Sequence, residues 1–131
     1  MMNVPSELRY TKSHEWIVPD ENEATVGITS HAQEELRDVV YVELPQVGRQ
    51  VKAGEAVAVV ESVKAAFDMY APVSGTIVKV NAALTTTPQL VNKECYGEGW
   101  FFAIQPHRPS EFNTLMTAES YTKLITSDAH S

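Results

Sequence analysis

Cysteine is nearly absent from this chain. The single Cys95 excludes an internal disulfide and fits a reducing compartment. Long apolar runs are missing too, none approaching the roughly 18 residues needed to cross a bilayer. The start, MMNVPSELRY, has neither the apolar core of a signal peptide nor an Arg-rich transit pattern, so a bacterial cytoplasm is expected ahead of a mitochondrial matrix. Positive charge is scarce. Ten Lys and Arg against 17 Asp and Glu leave a net charge of −7, which disfavours nucleic acid and anionic membranes as partners. Low-complexity and linker-like stretches are also lacking, so residues 1–131 are expected to form a single domain.

What is present is a series of short β-branched and aromatic runs: EWIV, EATVGIT, DVVYVEL, AVAVVES, AFDMYA, GTIVKV and WFFAI. Turn-forming breaks such as PDENE, KAGE, PVSG and YGEG separate them. Many short strands with Gly and Pro punctuation predict a mainly β protein, a sandwich or barrel. ITSHAQEEL reads as a short internal helix, with Ser30 as N-cap and Gln33 completing a capping box. The tail SEFNTLMTAESYTKLI sets Phe112, Leu115 and Met116, then Tyr121, Leu124 and Ile125, at helical spacing. A helix or helix pair over residues 110–126 is expected to lie on the sheet.

The stretch VVESVKAAFDMYAPVSG, residues 59–75, joins two apolar runs at one lysine, Lys64. With Val63 and Lys64 as a two-residue loop, residues 56–70 form a hairpin. Its predicted pairs are Ser62–Ala65, Glu61–Ala66, Val60–Phe67, Val59–Asp68, Ala58–Met69 and Val57–Tyr70. Alternation then sends Ala58, Val60, Phe67 and Met69 to the core and Glu61 and Asp68 to water. A one-residue slip would bury a carboxylate, so the register is well specified. Type I′ and II′ turns need φ > 0, which β-branched Val63 resists, so a type I turn is expected. Lys64 then projects from the tip, an exposed amine without the desolvation that Schiff-base chemistry requires but open to an acylating enzyme. Gly54 and Gly75, ten residues before and eleven after the lysine, each read as a turn ahead of an apolar run.

Other chemistry-bearing residues offer less. A catalytic Cys95 would need a nearby base and a depressed pKa, and it reads instead as an ordinary substituted position. His14-Glu15 begins like a zincin motif, but position 18 is valine, so no metal site follows. His31 reads as a surface or cap residue, and His107 and His130 as surface loop and tail.

The ESVKA core with its downstream APVSG resembles the lipoyl-attachment segment of the glycine cleavage system H protein family. The resemblance continues in LRYTKSHEW, VGITSHAQEEL, DVVYVELPQVG, VNKECYGEGW and the C-terminal SEF…L…AESY, from about Leu8 to Leu124. Biotin carriers centre the same hairpin on Met-Lys-Met, and lipoyl domains of 2-oxo acid dehydrogenases on Asp-Lys-Ala, whereas Lys64 lies between Val63 and Ala65. Two departures stand out. The family usually has Leu-Gly-Asp where this chain has Leu36-Arg37-Asp38, and Asp-Pro-Tyr where it has Glu94-Cys95-Tyr96. If that glycine adopts φ > 0, Arg37 strains or reshapes the helix end.

The resemblance implies a lipoyl/biotinyl-type β-sandwich, a barrel-sandwich hybrid, working as a monomeric carrier rather than an enzyme. Lipoate would be amide-linked to Lys64, on an arm of roughly ten rotatable bonds reaching on the order of 10–15 Å from Cα. The implied partners are a pyridoxal-phosphate glycine decarboxylase (P-protein) that loads an aminomethyl group, a tetrahydrofolate-dependent aminomethyltransferase (T-protein) and a flavin-containing dihydrolipoyl dehydrogenase (L-protein), besides lipoate-attaching enzymes. Ser13, Glu15 and Asp68 match positions lining a cleft for the loaded arm, where carboxylates would pair with its ammonium group. Glu61 and Gly75 match determinants of lipoylation. Competing expectations are a relay passing lipoyl groups to other lipoate-dependent enzymes, and an unmodified interaction module of the same fold.

Overall fold

The computed structural model describes residues 4–129; His130 lies outside them. In chain order the elements are β1 (Arg9–Tyr10), β2 (Glu15–Ile17), β3 (Ala24–Ile28), α1 (Ser30–Leu36), β4 (Val39–Glu43), β5 (Gln50–Val51), β6 (Ala56–Ser62), β7 (Ala66–Tyr70) and β8 (Gly75–Val80). Then come α2 (Ala83–Thr86), α3 (Leu90–Lys93), β9 (Phe102–Pro106), a 3-10 helix (Pro109–Thr114) and α4 (Ala118–Ala129).

The strands form two antiparallel sheets, one ordered β1-β2-β3-β9-β8-β5 and the other β4-β6-β7. Each presents an apolar face to the other. Val26, Ile28, Ile77, Phe102 and Ile104 of the larger sheet share a core with Val42, Val60 and Met69 of the smaller. Leu36, Leu84 and Val91 add to it from α1, α2 and α3. Burying each such side chain contributes ~1.5–3 kcal/mol, so the two sheets cohere without a disulfide. This is the mainly β sandwich that the short strands predicted.

A second cluster, Leu8, Tyr10, Trp16, Tyr121 and Ile125, seats α4 against β1 and β2. Tyr10 and Tyr121 stack with centroids 4.8 Å apart. Trp16 lies over Gly27, where an added Cβ would fall 2.5 Å from its ring, and its indole N–H donates to the Cys95 carbonyl at 2.9 Å.

Two helical expectations are corrected. The N-cap of α1 is Thr29, not Ser30: the Thr29 hydroxyl accepts from Ala32 N–H, while Ser30 N–H donates to the Tyr96 hydroxyl. Gln33 does not complete a capping box but accepts from the Asn92 side chain. The tail is interrupted. Met116 exchanges both backbone hydrogen bonds with Tyr10 at 2.9 Å, so residues between the 3-10 helix and α4 run extended. That bridge offsets the helical periodicity read across Leu115 and Met116.

Candidate functional site: the lysine hairpin

The hairpin of β6 and β7 follows the predicted register near its tip: Glu61↔Ala66, Val60↔Phe67, Val59↔Asp68 and Ala58↔Met69. It departs at the base, where Ala56, not Val57, pairs with Tyr70 across a bulge. The extra residue explains why Val57 and Ala58 are both buried despite being neighbours. Val60 and Met69 are fully buried, Phe67 packs partly buried against the core, and Glu61 and Asp68 are exposed.

Among the described residues, His14 and Arg37 are the non-glycine positions with positive φ. Val63 and Lys64 therefore do not form a type I′ or II′ turn. Ser62 holds the loop instead. Its N–H donates to the Ala65 carbonyl at 2.8 Å, and its hydroxyl oxygen accepts from Lys64 N–H at 3.3 Å and Ala65 N–H at 3.1 Å. Sequence reasoning passed over Ser62, although a serine opening a turn is a known signal. Val63 is 69% exposed beside the lysine. Lys64 is exposed and makes no salt bridge among the described residues. A primary amine so placed is chemically suited to acylation and costs the fold little when modified.

Ser13 and Glu15 lie in contact. Ser13 Oγ donates to Glu15 Oε1 at 2.5 Å, Thr11 Oγ1 donates to the same oxygen, and Tyr70 N–H donates to Oε2 at 2.9 Å. Glu15 is fully buried. Burial pushes its carboxyl above the usual carboxylate range, opposed by the Ser13, Thr11 and Tyr70 donors. Asp68 stands on the water face of β7, two residues before Tyr70. The carboxylates thus differ in kind: Asp68 is open, and Glu15 is enclosed with three donors of its own.

The loop before Glu15 is anchored from behind. His14, at φ 73°, lies with Nδ1 2.7 Å from the Tyr121 hydroxyl, which is also 2.7 Å from Thr29 Oγ1. Its ring packs on His31, centroids 4.6 Å apart. His31 is therefore partly buried and packed rather than a bare surface residue.

Gly75 is not in a turn. It opens β8, buried between Val51 and Pro106, and a Cβ there would sit 2.3 Å from the Gln105 carbonyl oxygen. Gly54, at φ 87°, does occupy a turn, donating its N–H to Ala71. The Cys95 thiol is buried and its pKa is pushed up to about 11, with burial as the main cause, so it stays protonated and is a poor nucleophile at neutral pH.

An apolar-cored sandwich of two antiparallel sheets with an exposed lysine at the tip of a short hairpin belongs to the lipoyl-type fold class. The family model for glycine cleavage H-protein matches residues 8–128. The chain is 55% identical over 128 residues to the glycine cleavage system H protein of Thermus thermophilus, covering 98% of this chain and all of that protein. It is 56% identical over 129 residues to that of Shewanella baltica, with the same coverage. A crystal structure of a glycine cleavage system H protein from Mycobacterium marinum superposes with a TM-score of 0.85 at 41% identity, over 92% of this chain and 97% of that one. The chain belongs to the glycine cleavage H-protein family, and it is a lipoyl carrier of the glycine cleavage system.

Proposed function

We propose that lipoate is held as an amide on Lys64, that Glu61 is read by the attaching enzyme, and that Ser13, Glu15 and Asp68 line the resting place of the loaded arm. The observation that carries this reading is the exposed, unpaired Lys64 on a turn fixed by Ser62. Lipoate, when bound, would supply a ring disulfide that accepts the aminomethyl group on one sulfur as it is reduced, and the dithiol left after the group is passed on would be reoxidised to that disulfide.

The chain's own residues do the rest. The hairpin fixes the base of the arm, because Val60 and Met69 are locked in the core. Glu61, exposed three residues before the lysine, is within reach of a visiting enzyme, whereas buried Gly75 acts by letting β8 approach β9. Asp68 offers an open carboxylate to an ammonium group, and Glu15, fully buried, joins only where its surroundings open to the arm. The partners are glycine decarboxylase, the aminomethyltransferase and dihydrolipoyl dehydrogenase, each docking at the tip, where Val40, Tyr41 and Val63 are exposed apolar residues. Among the described residues no helix is long and apolar enough to cross a membrane, and a bacterial cytoplasm is the proposed setting.

The test is modification of the intact protein by a purified lipoate-attaching enzyme, followed by peptide mapping. The expected result is one lipoyl increment on the peptide spanning Lys64. Lys64→Arg should change stability by no more than ~0.5 kcal/mol, yet abolish modification and glycine–carbon dioxide exchange. An increment on any other lysine, or exchange supported by Lys64→Arg at the wild-type rate, would overturn the assignment.

A further inference from the structure

The loop that carries Lys64 is braced from outside the hairpin. Beyond its own turn bonds, the Val63 N–H donates to the Asp38 carbonyl at 3.1 Å. Asp38 sits in the tight corner between α1 and β4, and that corner has an unusual backbone. Arg37 is at φ 67°, ψ −145°, a region essentially reserved for glycine because a Cβ crowds the backbone there. An arginine persists at such a position only when its surroundings over-determine it.

Those surroundings converge on one side chain. Asn92, on α3, accepts from Val39 N–H through Oδ1 at 2.9 Å. Its Nδ2 donates to the Arg37 carbonyl at 2.7 Å and to Gln33 Oε1 at 3.0 Å. Both amide protons and the carbonyl oxygen are committed, and two of the three bonds grip the residues either side of Asp38. The third ties the clasp to α1, whose last turn also closes on the corner through Arg37 N–H to the Gln33 carbonyl at 3.1 Å. The corner faces a recess of about 630 Å³ lined by Gln33, Glu34, Arg37, Asp38 and Asn92. Solvent there would compete for the same groups if the clasp were lost.

We infer that Asn92 is a positioning residue for Lys64. It holds Arg37 in its glycine-like conformation, which aims the Asp38 carbonyl at Val63 N–H and so fixes the direction of the attachment loop. Ser62 sets the shape of the turn; Asn92 sets its orientation on the body. The inference rests on Lys64 being the attachment point, and its test separates the two readings.

Backbone amide exchange and lipoylation kinetics are measured on the intact protein for wild type, Asn92→Ala, Arg37→Gly/Asn92→Ala and Val63→Pro. Asn92→Ala should raise exchange at Val63 about tenfold relative to core amides of β6, the order expected for losing one hydrogen bond's net contribution. It should also lower kcat/KM for lipoylation several-fold. Glycine at position 37 removes the strain, so the double variant should recover most of both losses, which a merely destabilising role would not allow. Val63→Pro deletes the donor while leaving the Asn92 bonds intact, and should reproduce the lipoylation loss even if Asn92→Ala fails to fold. Unchanged Val63 exchange in Asn92→Ala would overturn the brace. Wild-type lipoylation kinetics in both Asn92→Ala and Val63→Pro would overturn its role in positioning. Absence of lipoylation in wild type would instead sink the Lys64 assignment, with exchange at Val63 still reporting on the brace.

Discussion

The Glu15 carboxylate on β2 accepts the backbone N–H of Tyr70 on β7 at 2.9 Å, across 55 residues of sequence. The bond joins the larger sheet to the edge of the smaller one, beside the strand that leads from Lys64. Since edge strands leave a row of unpaired N–H groups, a buried acceptor from the opposite sheet both satisfies one and fastens the hairpin.

The charge state of Glu15 makes that link pH-dependent. Burial raises its folded pKa above the ordinary carboxylate value, so between the unfolded and folded values the folded protein binds more protons. Stability must then fall as pH rises through that window. The wild type should lose stability relative to Glu15→Gln on moving from acid towards neutral pH, read from urea midpoints across a pH series. The opposite slope would mean that the Ser13, Thr11 and Tyr70 donors outweigh desolvation.

Tyr121 links three elements through one hydroxyl, 2.7 Å from both Thr29 Oγ1 and His14 Nδ1. Tyr121→Phe keeps the stack on Tyr10 and removes the hydroxyl alone. Because Thr29 is buried, the expected cost is ~1–3 kcal/mol, seen as a lowered unfolding midpoint with an unchanged m value. A midpoint equal to wild type would show that water replaces the hydroxyl.

The hairpin was legible because local rules and burial agreed: Val60 and Met69 could face inward in one register only, and that register kept Asp68 in water. The bulge at Val57 was not, since two adjacent apolar residues fit either alternation and the choice is made by packing across the sandwich. The sequence pointed to Ser30 as the cap of α1, and the structure caps it with Thr29. What selects Thr29 is Tyr121, 92 residues away. Glu15 was singled out only through family resemblance, and its full burial was invisible, because the strand supplying its Tyr70 partner lies in the other sheet. Arg37 was recognised as a strained substitution, whereas the Asn92 clasp depends on a short helix whose placement no local pattern announces.

Glu61 and Gly75 should separate cleanly when substituted. Glu61→Gln, on an exposed strand face, should leave stability within ~0.5 kcal/mol while slowing lipoylation. Gly75→Ala places a Cβ 2.3 Å from a backbone oxygen that cannot rotate away. Overpacking of that kind costs typically ~1–3 kcal/mol. The paired measurements are chemical unfolding and initial lipoylation rate. A stable Gly75→Ala protein would contradict the close approach of β8 to β9, and an unchanged rate in Glu61→Gln would remove that carboxylate from recognition.

If Asp68 and Glu15 line the resting place of the arm as proposed, they should contribute unequally to the lifetime of the loaded arm. Asp68 is exposed, so its pairing with an ammonium group is worth only ~0.2–1 kcal/mol, less than about fivefold in lifetime. Glu15 is enclosed; if it opened to the arm, a desolvated charge-assisted bond could reach ~1.5–3 kcal/mol, tenfold or more. That gain is offset by the cost of opening the packing that buries Glu15. The expected order is therefore a modest acceleration of decay in Asp68→Asn and a several-fold acceleration in the Asp68→Asn/Glu15→Gln double variant. High salt should imitate the first effect and leave the second largely in place, because screening acts on exposed charges far more than on buried ones. The measurement is release of formaldehyde and ammonia from purified methylamine-loaded protein without transferase, at low and high salt. Lipoylation of each variant serves as the control that the arm is present. An unchanged half-life in the double variant would leave Glu15 as a fastener between sheets and Asp68 as a solvated strand residue, with the chemistry resting on Lys64 alone.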